Sequence, residues 1–377
     1  MKWAMTYFWI SGLGVISLAV QAAQELGTRH GAIPAKVNGV TVEAGAVMTL
    51  QHASDTRVDD ELLASLDIVS TIPAGRGHWM IYVEGNTSPR TNGVSSLVPE
   101  ANQDAATAVD RDDRGRLQVS ALHYLWFQGN SAFVLGLINP AGPLDNSDIA
   151  NNETRQFLAT TLVNNPTIGF PDYTLGLVYF YKPDYKALDL TFLLSSSHGL
   201  GDNPTRSYSE LTDVSADGKG VFAVAELIWK HPEHIWRGGI WVQTADNLYL
   251  DGSGKTASNY GIYLNSDHYF GAYGVNLRLG LANPRVSEAA QFVGLALDRA
   301  LGKNHAGLGY TYTWVSDDAG ADKANRAQLE AYYRFDLTDG FSITPSLQRI
   351  QNSGFDNTGT TVASDINVIS VRSSYTF

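Results

Sequence analysis

The 377-residue chain carries a formal charge of −12 and no cysteine. Disulfides and thiolate chemistry are therefore excluded, and the acidic balance speaks against a nucleic-acid partner, whose phosphates call for a basic surface. Mean hydropathy is −0.13, and no segment beyond the N-terminus approaches about 18 consecutive apolar residues, so no transmembrane helix is expected there.

The first element in chain order is not a folded one. Lys2 precedes an apolar run from Trp3 to Val20, and Val20-Gln21-Ala22 is an acceptable small-x-small cleavage site. No stop-transfer charges follow, so residues 1–22 read as a secretory signal peptide rather than a membrane anchor. Residues 23–40 are a short N-terminal segment, and 41–377 form the folded domain.

From residue 41 onward the chain is dominated by segments with a period of two. In "RAQLEAYYRFDL", Ala327, Leu329, Ala331, Tyr333, Phe335 and Leu337 share one parity, and Arg326, Gln328, Glu330, Arg334 and Asp336 the other. "AYGVNLRLGL" and "HAGLGYTYTW" repeat the pattern. Such alternation predicts strands with one face in an apolar medium and one in a polar medium. Sixteen strands are predicted, at about 41–51, 61–70, 78–86, 116–127, 131–138, 173–182, 187–196, 219–230, 235–245, 258–266, 271–281, 290–299, 304–315, 325–336, 341–350 and 366–377. Helical periodicity between them is absent, which argues against an α/β fold.

The connections alternate between long and short. "QGN", "PDYK", "HPEH", "LGK" and "TDG" are short, whereas 87–115, 139–172, 197–218, 246–257 and 351–365 are long. An even number of strands with loop length sorted by parity predicts an all-β transmembrane antiparallel β-barrel of about 16 strands, with short periplasmic turns and long extracellular loops. The first loop, 52–60, breaks the alternation, being no longer than the turn after it. Tyrosine and tryptophan at strand ends suit interfacial girdles. Pro345 sits mid-strand in "SITPSLQ", where a local bulge is expected. The last strand, "ISVRSSYTF", is expected to close the barrel with Tyr375 and Phe377 facing lipid and Arg372 facing the lumen.

The segment "EAYYRFDLTDGFSITPSLQRIQNSG" and the final "VRSSYTF" resemble the carbohydrate-selective porins of the OprB type. "GLINPAGPLDNSDIANNETRQFL" is similar to the family's acidic loop, and "VAELIW" to its strand bearing an inward glutamate. The resemblance implies passive diffusion of mono- or oligosaccharides through a water-filled barrel in the outer membrane of a Gram-negative cell. It also implies that the C-terminal Phe377 is read by the barrel-assembly machinery. Membrane lipids are expected partners, and a homo-oligomer is compatible with the pattern. The alternatives are a general or ion-selective pore in the same barrel, and a barrel enzyme or receptor.

A sugar channel needs a constriction of hydrogen-bonding groups rather than a catalyst or cofactor. The inward parity offers Glu43, Asp67, Glu84, Glu226, Asp298 and Glu330 against Arg278, Arg326, Arg334 and Arg372, joined by Gln118, Trp126, Trp241, Asn276 and Gln348. Mixed signs around one space suit neutral polyhydroxylated solutes. The connection 139–172, with Asp145, Glu153 and Arg155, is the candidate for a loop folded inward. Its oxygen-rich run lacks EF-hand spacing, and His231 and His234 of "HPEH" lack partners at zinc-site spacing, so no metal is assigned. "DGSGKT" lacks the strand–helix context of a phosphate loop, and no Ser/His/Asp order is compatible with the strands, so no enzyme activity is assigned.

Overall fold

The computed structural model describes residues 35–37, 39–184, 187–212, 214, 219–320, 324–353 and 365–377. The expected signal peptide and most of the connection 351–365 lie outside the described residues. Sixteen strands form the wall: β1 Val40–Ala53, β2 Glu61–Ala74, β3 Gly77–Asn86, β4 Leu117–Gln128, β5 Ser131–Ile138, β6 Thr174–Tyr181, β7 Leu188–Ser196 and β8 Val221–His231. They continue with β9 His234–Leu248, β10 Thr256–Phe270, β11 Tyr273–Ala282, β12 Ala289–Leu301, β13 Asn304–Val315, β14 Arg326–Asp336, β15 Phe341–Gln351 and β16 Asp365–Thr376. A further short strand, Ala35–Val37, pairs with the start of β1.

Every neighbouring pair is antiparallel, and β16 pairs back onto β1 from Val368↔Ala53 to Thr376↔Gly45. Closure leaves no unpaired edge, which hydrocarbon requires because it cannot hydrogen-bond exposed backbone. Phe377 extends the seam: its N–H donates to the Ala44 carbonyl at 2.9 Å, and its carbonyl accepts from Ala44 N–H at 3.1 Å.

The irregular first turn of the sequence pattern is resolved by strand length. β2 runs on to Ala74, so the β2–β3 turn is only residues 75–76, with Gly75 at φ +57 supplying the left-handed residue it needs. All short turns then fall at one end and the 87–116, 139–173 and 197–220 loops at the other. Pro345 does not produce the expected bulge. It pairs with Val371 in an unshifted β15–β16 register, and on the β14 side the ladder lacks a pair there but resumes in the same register. Proline's missing donor is accommodated as a gap instead of an inserted residue.

The outward parity is apolar and exposed, as in Leu329, Phe335, Leu347, Ile369, Val371, Tyr375 and Phe377. Near the short-turn end, ring contacts link Trp79, Tyr124, Trp126, Phe133 and Tyr179 across adjacent strands. Trp126 corrects the sequence reading, which placed it in the lumen. The β3–β4 register shifts between Tyr82 and Val83 and skips Ser120, so the rest of β4 exchanges faces and Trp126 stacks on outward Phe133 at 4.9 Å.

The inward parity is not uniformly polar. Ala53, Ile350, Ile366 and Val368 pack under Val94, Leu97, Val98 and Ala101 of the 87–116 loop. Leu125, Val134, Val178, Leu193, Phe222 and Val224 form a second cluster with Leu144 and Ile168 of the 139–173 loop. The hydrophobic core of this barrel is therefore inside it, between wall and loops. Short helices Val94–Leu97 and Thr160–Val163 punctuate those loops.

Candidate functional site

The 139–173 loop crosses the lumen and is tied by hydrogen bonds to strands β8, β10, β11, β14 and β16. Glu226 accepts the Asp145 N–H at 2.9 Å and the Tyr263 hydroxyl at 2.8 Å. Asp267 accepts the Ser147 hydroxyl at 2.6 Å and pairs with Arg237 at 3.0 Å. Across the barrel, Glu330 accepts the N–H groups of Leu158 and Ala159 at 2.9 and 2.8 Å. Arg278 donates to the carbonyls of Leu162, Val163 and Asp145 and to Asn151, while Arg372 donates to the carbonyls of Glu153 and Gln156. Hydrogen bonds to ionised partners contribute about 1.5–3 kcal/mol each. Several together hold the loop against thermal motion.

The described residues thus divide the predicted site. Glu226, Glu330, Arg278 and Arg372 are almost fully buried against the loop, as is Asp145. Gln348 donates to the Ala101 carbonyl at 2.8 Å and so holds the 87–116 loop instead. Trp241 belongs to the inner apolar cluster beside Phe222. Arg326 pairs with Glu288 at 2.9 Å near the long-loop end. Glu153, Arg155 and Arg334 line a cavity of about 1210 Å³ between loops and wall.

That cavity brings both charge signs together. Asp67, Glu84, Asp104, Asp148, Asp172 and Asp298 line it with Arg206, Lys230, Arg237 and His305, and Tyr82, Tyr173 and Tyr269 add aromatic surface. Arg334 donates to Asp336 at 3.0 Å and to the Arg155 carbonyl at 2.9 Å, and Arg155 also pairs with Asp336 at 3.0 Å. Burial and neighbouring Asp67 push the Asp104 carboxyl well above the usual carboxylate range. Burial, Glu84 and Asp202 push the Asp172 carboxyl up to about 8. Asp145 is pushed up to about 6 by burial, against the pull of Arg278.

Arg237 and Lys230 share parity with the predicted Trp241 and Glu226, so alternation alone was enough to find them. Asp267 lay beyond a predicted strand end, because β10 continues to Phe270. Asp104, Asp172 and Arg206 are loop residues, whose placement carries no periodic signal.

A closed sixteen-stranded barrel with an apolar outer wall, a polar cavity and an inward-anchored loop defines a porin. The high-pH structure of Pseudomonas putida OprB is similar over 94% of this chain and 96% of its own, at 13% identity and a TM-score of 0.69. Two mutants of the Rh. blastica porin each match over 90% of this chain and 100% of their own, with 13% identity and TM-score 0.53, and 12% and 0.54. No curated protein matches the chain. The family described as carbohydrate-selective porin, OprB family, matches residues 104–377, and the chain belongs to that family. It is accordingly an outer-membrane channel for passive diffusion of carbohydrates.

Proposed function

We propose that carbohydrates pass through the cavity between the 139–173 loop and the wall, and that Glu153, Arg155 and Arg334 exchange hydrogen bonds with their hydroxyls. The observation that carries this reading is the convergence of Arg155, Arg334, Lys230 and Arg237 with Asp67, Glu84, Asp104 and Asp172 on one water-accessible space. A neutral solute rich in hydroxyls can accept from guanidinium groups and donate to carboxylates at once, with binding weak enough for release. Glu226, Glu330, Arg278, Arg372 and Asp145 act as positioning residues, setting how far the loop projects. Trp241 backs the loop, and Arg326 and Gln348 brace the long-loop end.

In this reading the short turns face the periplasm and the long loops the exterior, residues 1–22 direct export, and Phe377 is read by the assembly machinery. Liposome swelling tests the solute path. Sugars are expected to enter faster than amino acids and salts of matched size, and Arg155→Gln with Arg334→Gln to narrow the difference. Equal rates for matched solutes in the unaltered protein would overturn it.

A further inference from the structure

Beside the short turns, the cavity between loop and wall is bounded by the ring of Tyr269. This residue has the inward parity of β10, two positions beyond Asp267, and it is half-buried. Both its ends are fixed. Its N–H donates to the Glu233 carbonyl of the β8–β9 turn at 2.9 Å, and its hydroxyl donates to Asp148 Oδ2 at 3.1 Å. The other described tyrosines that line the cavity offer no comparable face. Tyr82 and Tyr173 are buried in an inner apolar cluster with Met80, Leu200 and Leu211, and Tyr273 shares the outward parity of Leu279 and Leu281.

Hydrogen-bonding groups of both kinds flank the ring. Asp148 stands at its hydroxyl edge, and the Asp148 N–H donates to Asp267 Oδ2 at 3.2 Å. The same Asp267 oxygen accepts from Arg237 at 3.0 Å, so one buried carboxylate sets both the loop acid and the guanidinium. Lys230 on β8 is held by Asp189 at 2.6 Å and lines the same space. The neighbouring lining is made by Gly271, Ala272 and Ala300, whose side chains are absent or a single methyl, which leaves the cavity wide next to the ring. A pyranose carries hydroxyls around its rim and C–H groups on its faces. An aromatic ring can cover such a face while charged groups at the edge take the hydroxyls.

We propose that Tyr269 is a stacking platform for a pyranose ring at the short-turn end of the solute path, with Asp148 accepting from its rim hydroxyls and Arg237 donating to them. The platform rests on the carbohydrate path proposed for the same cavity and adds a selection to it. Mixed charges hold any polyol, whereas only a solute with a flat C–H face gains contact with the ring. One aromatic contact keeps the binding weak enough for release.

Block of the ionic current through the assembled barrel in a planar bilayer, by glucose and by sorbitol, an open-chain polyol of similar size, tests the platform. In the unaltered protein glucose is expected to block at about fivefold lower concentration than sorbitol, the effect of one aromatic contact. Tyr269→Phe should keep that advantage, and Tyr269→Leu should cancel it while leaving sorbitol block unchanged. Where the leucine variant does not assemble, Tyr269→Trp, with its larger ring, should widen the advantage. Equal block by the two polyols in the unaltered protein would overturn the platform and leave the charged path standing. An advantage retained in Tyr269→Leu, or unchanged in Tyr269→Trp, would also overturn it. So would equal losses in the phenylalanine and leucine variants, by assigning the effect to the hydroxyl bond on Asp148 and hence to loop position. Absence of block by either polyol would overturn the platform and the charged path together.

Discussion

Arg278 Nε lies 3.1 Å from Asp145 Oδ2, and both side chains are 2% exposed. One partner stands on β11 and the other in the loop that crosses the lumen, where Asp145 takes the left-handed φ of +49. The pair therefore fixes the loop at a point where its backbone turns sharply.

Breaking a buried pair leaves one charge uncompensated, at a cost of about 3–5 kcal/mol. Arg278→Met or Asp145→Asn should release this part of the loop, giving larger and noisier single-channel currents from a barrel of normal folded mobility. Since the Asp145 carboxyl is held near 6, the unaltered protein should grow noisier as pH falls through that value. Currents as quiet in the variants as in the parent would count against the anchoring role.

Arg155 and Arg334 are expected to behave differently, because they face the cavity. Replacing either by glutamine should weaken block of the ionic current by sugar roughly tenfold, the loss of one charge-assisted hydrogen bond. Glu330→Ala, which removes a ligand of the loop backbone, should disturb current noise more than sugar block. Titrating block with mono- and disaccharides in a planar bilayer separates the two effects.

Asp172 gives a pH dependence with a definite sign. Its carboxyl is held up to about 8 in the folded protein, so folding favours its neutral form. This group's contribution to stability is greatest below the ordinary carboxylate range and falls as pH rises toward about 8. Above that value a new negative charge enters the cavity. Reversal potentials in a salt gradient should shift toward cation selectivity between pH 7 and 9, and Asp172→Asn should abolish the shift.

Removing Phe377 takes away both backbone hydrogen bonds to Ala44 and the stacking on Tyr375 at 5.6 Å. Assembly yield in outer membranes should drop, while any barrel that forms should conduct normally. Normal yield would refute the role assigned to this residue.

Sequence alone was enough for the wall. A strand with lipid on one side and polar groups on the other must alternate, so each strand leaves a periodic trace, and spans such as 131–138 and 304–315 coincide with the strands observed. Parity also placed Arg372 and Glu330 inward and Tyr375 and Phe377 outward. It failed at Trp126, because the extra residue at Ser120 reverses parity without any compositional mark.

The lumen was legible only as a set of side chains, not as a site. Whether an inward arginine meets solute or a loop carbonyl depends on where the 139–173 loop lies. That loop is held by contacts between residues more than a hundred positions apart, such as Leu158 with Glu330 and Arg278 with Asp145. Local periodicity records the medium on each side of a strand, so the residues determined the barrel and its two faces. Burial of the loops within the closed wall, a non-local packing outcome, separated the buried anchors Arg278, Arg372 and Glu330 from the cavity-lining Arg155 and Arg334.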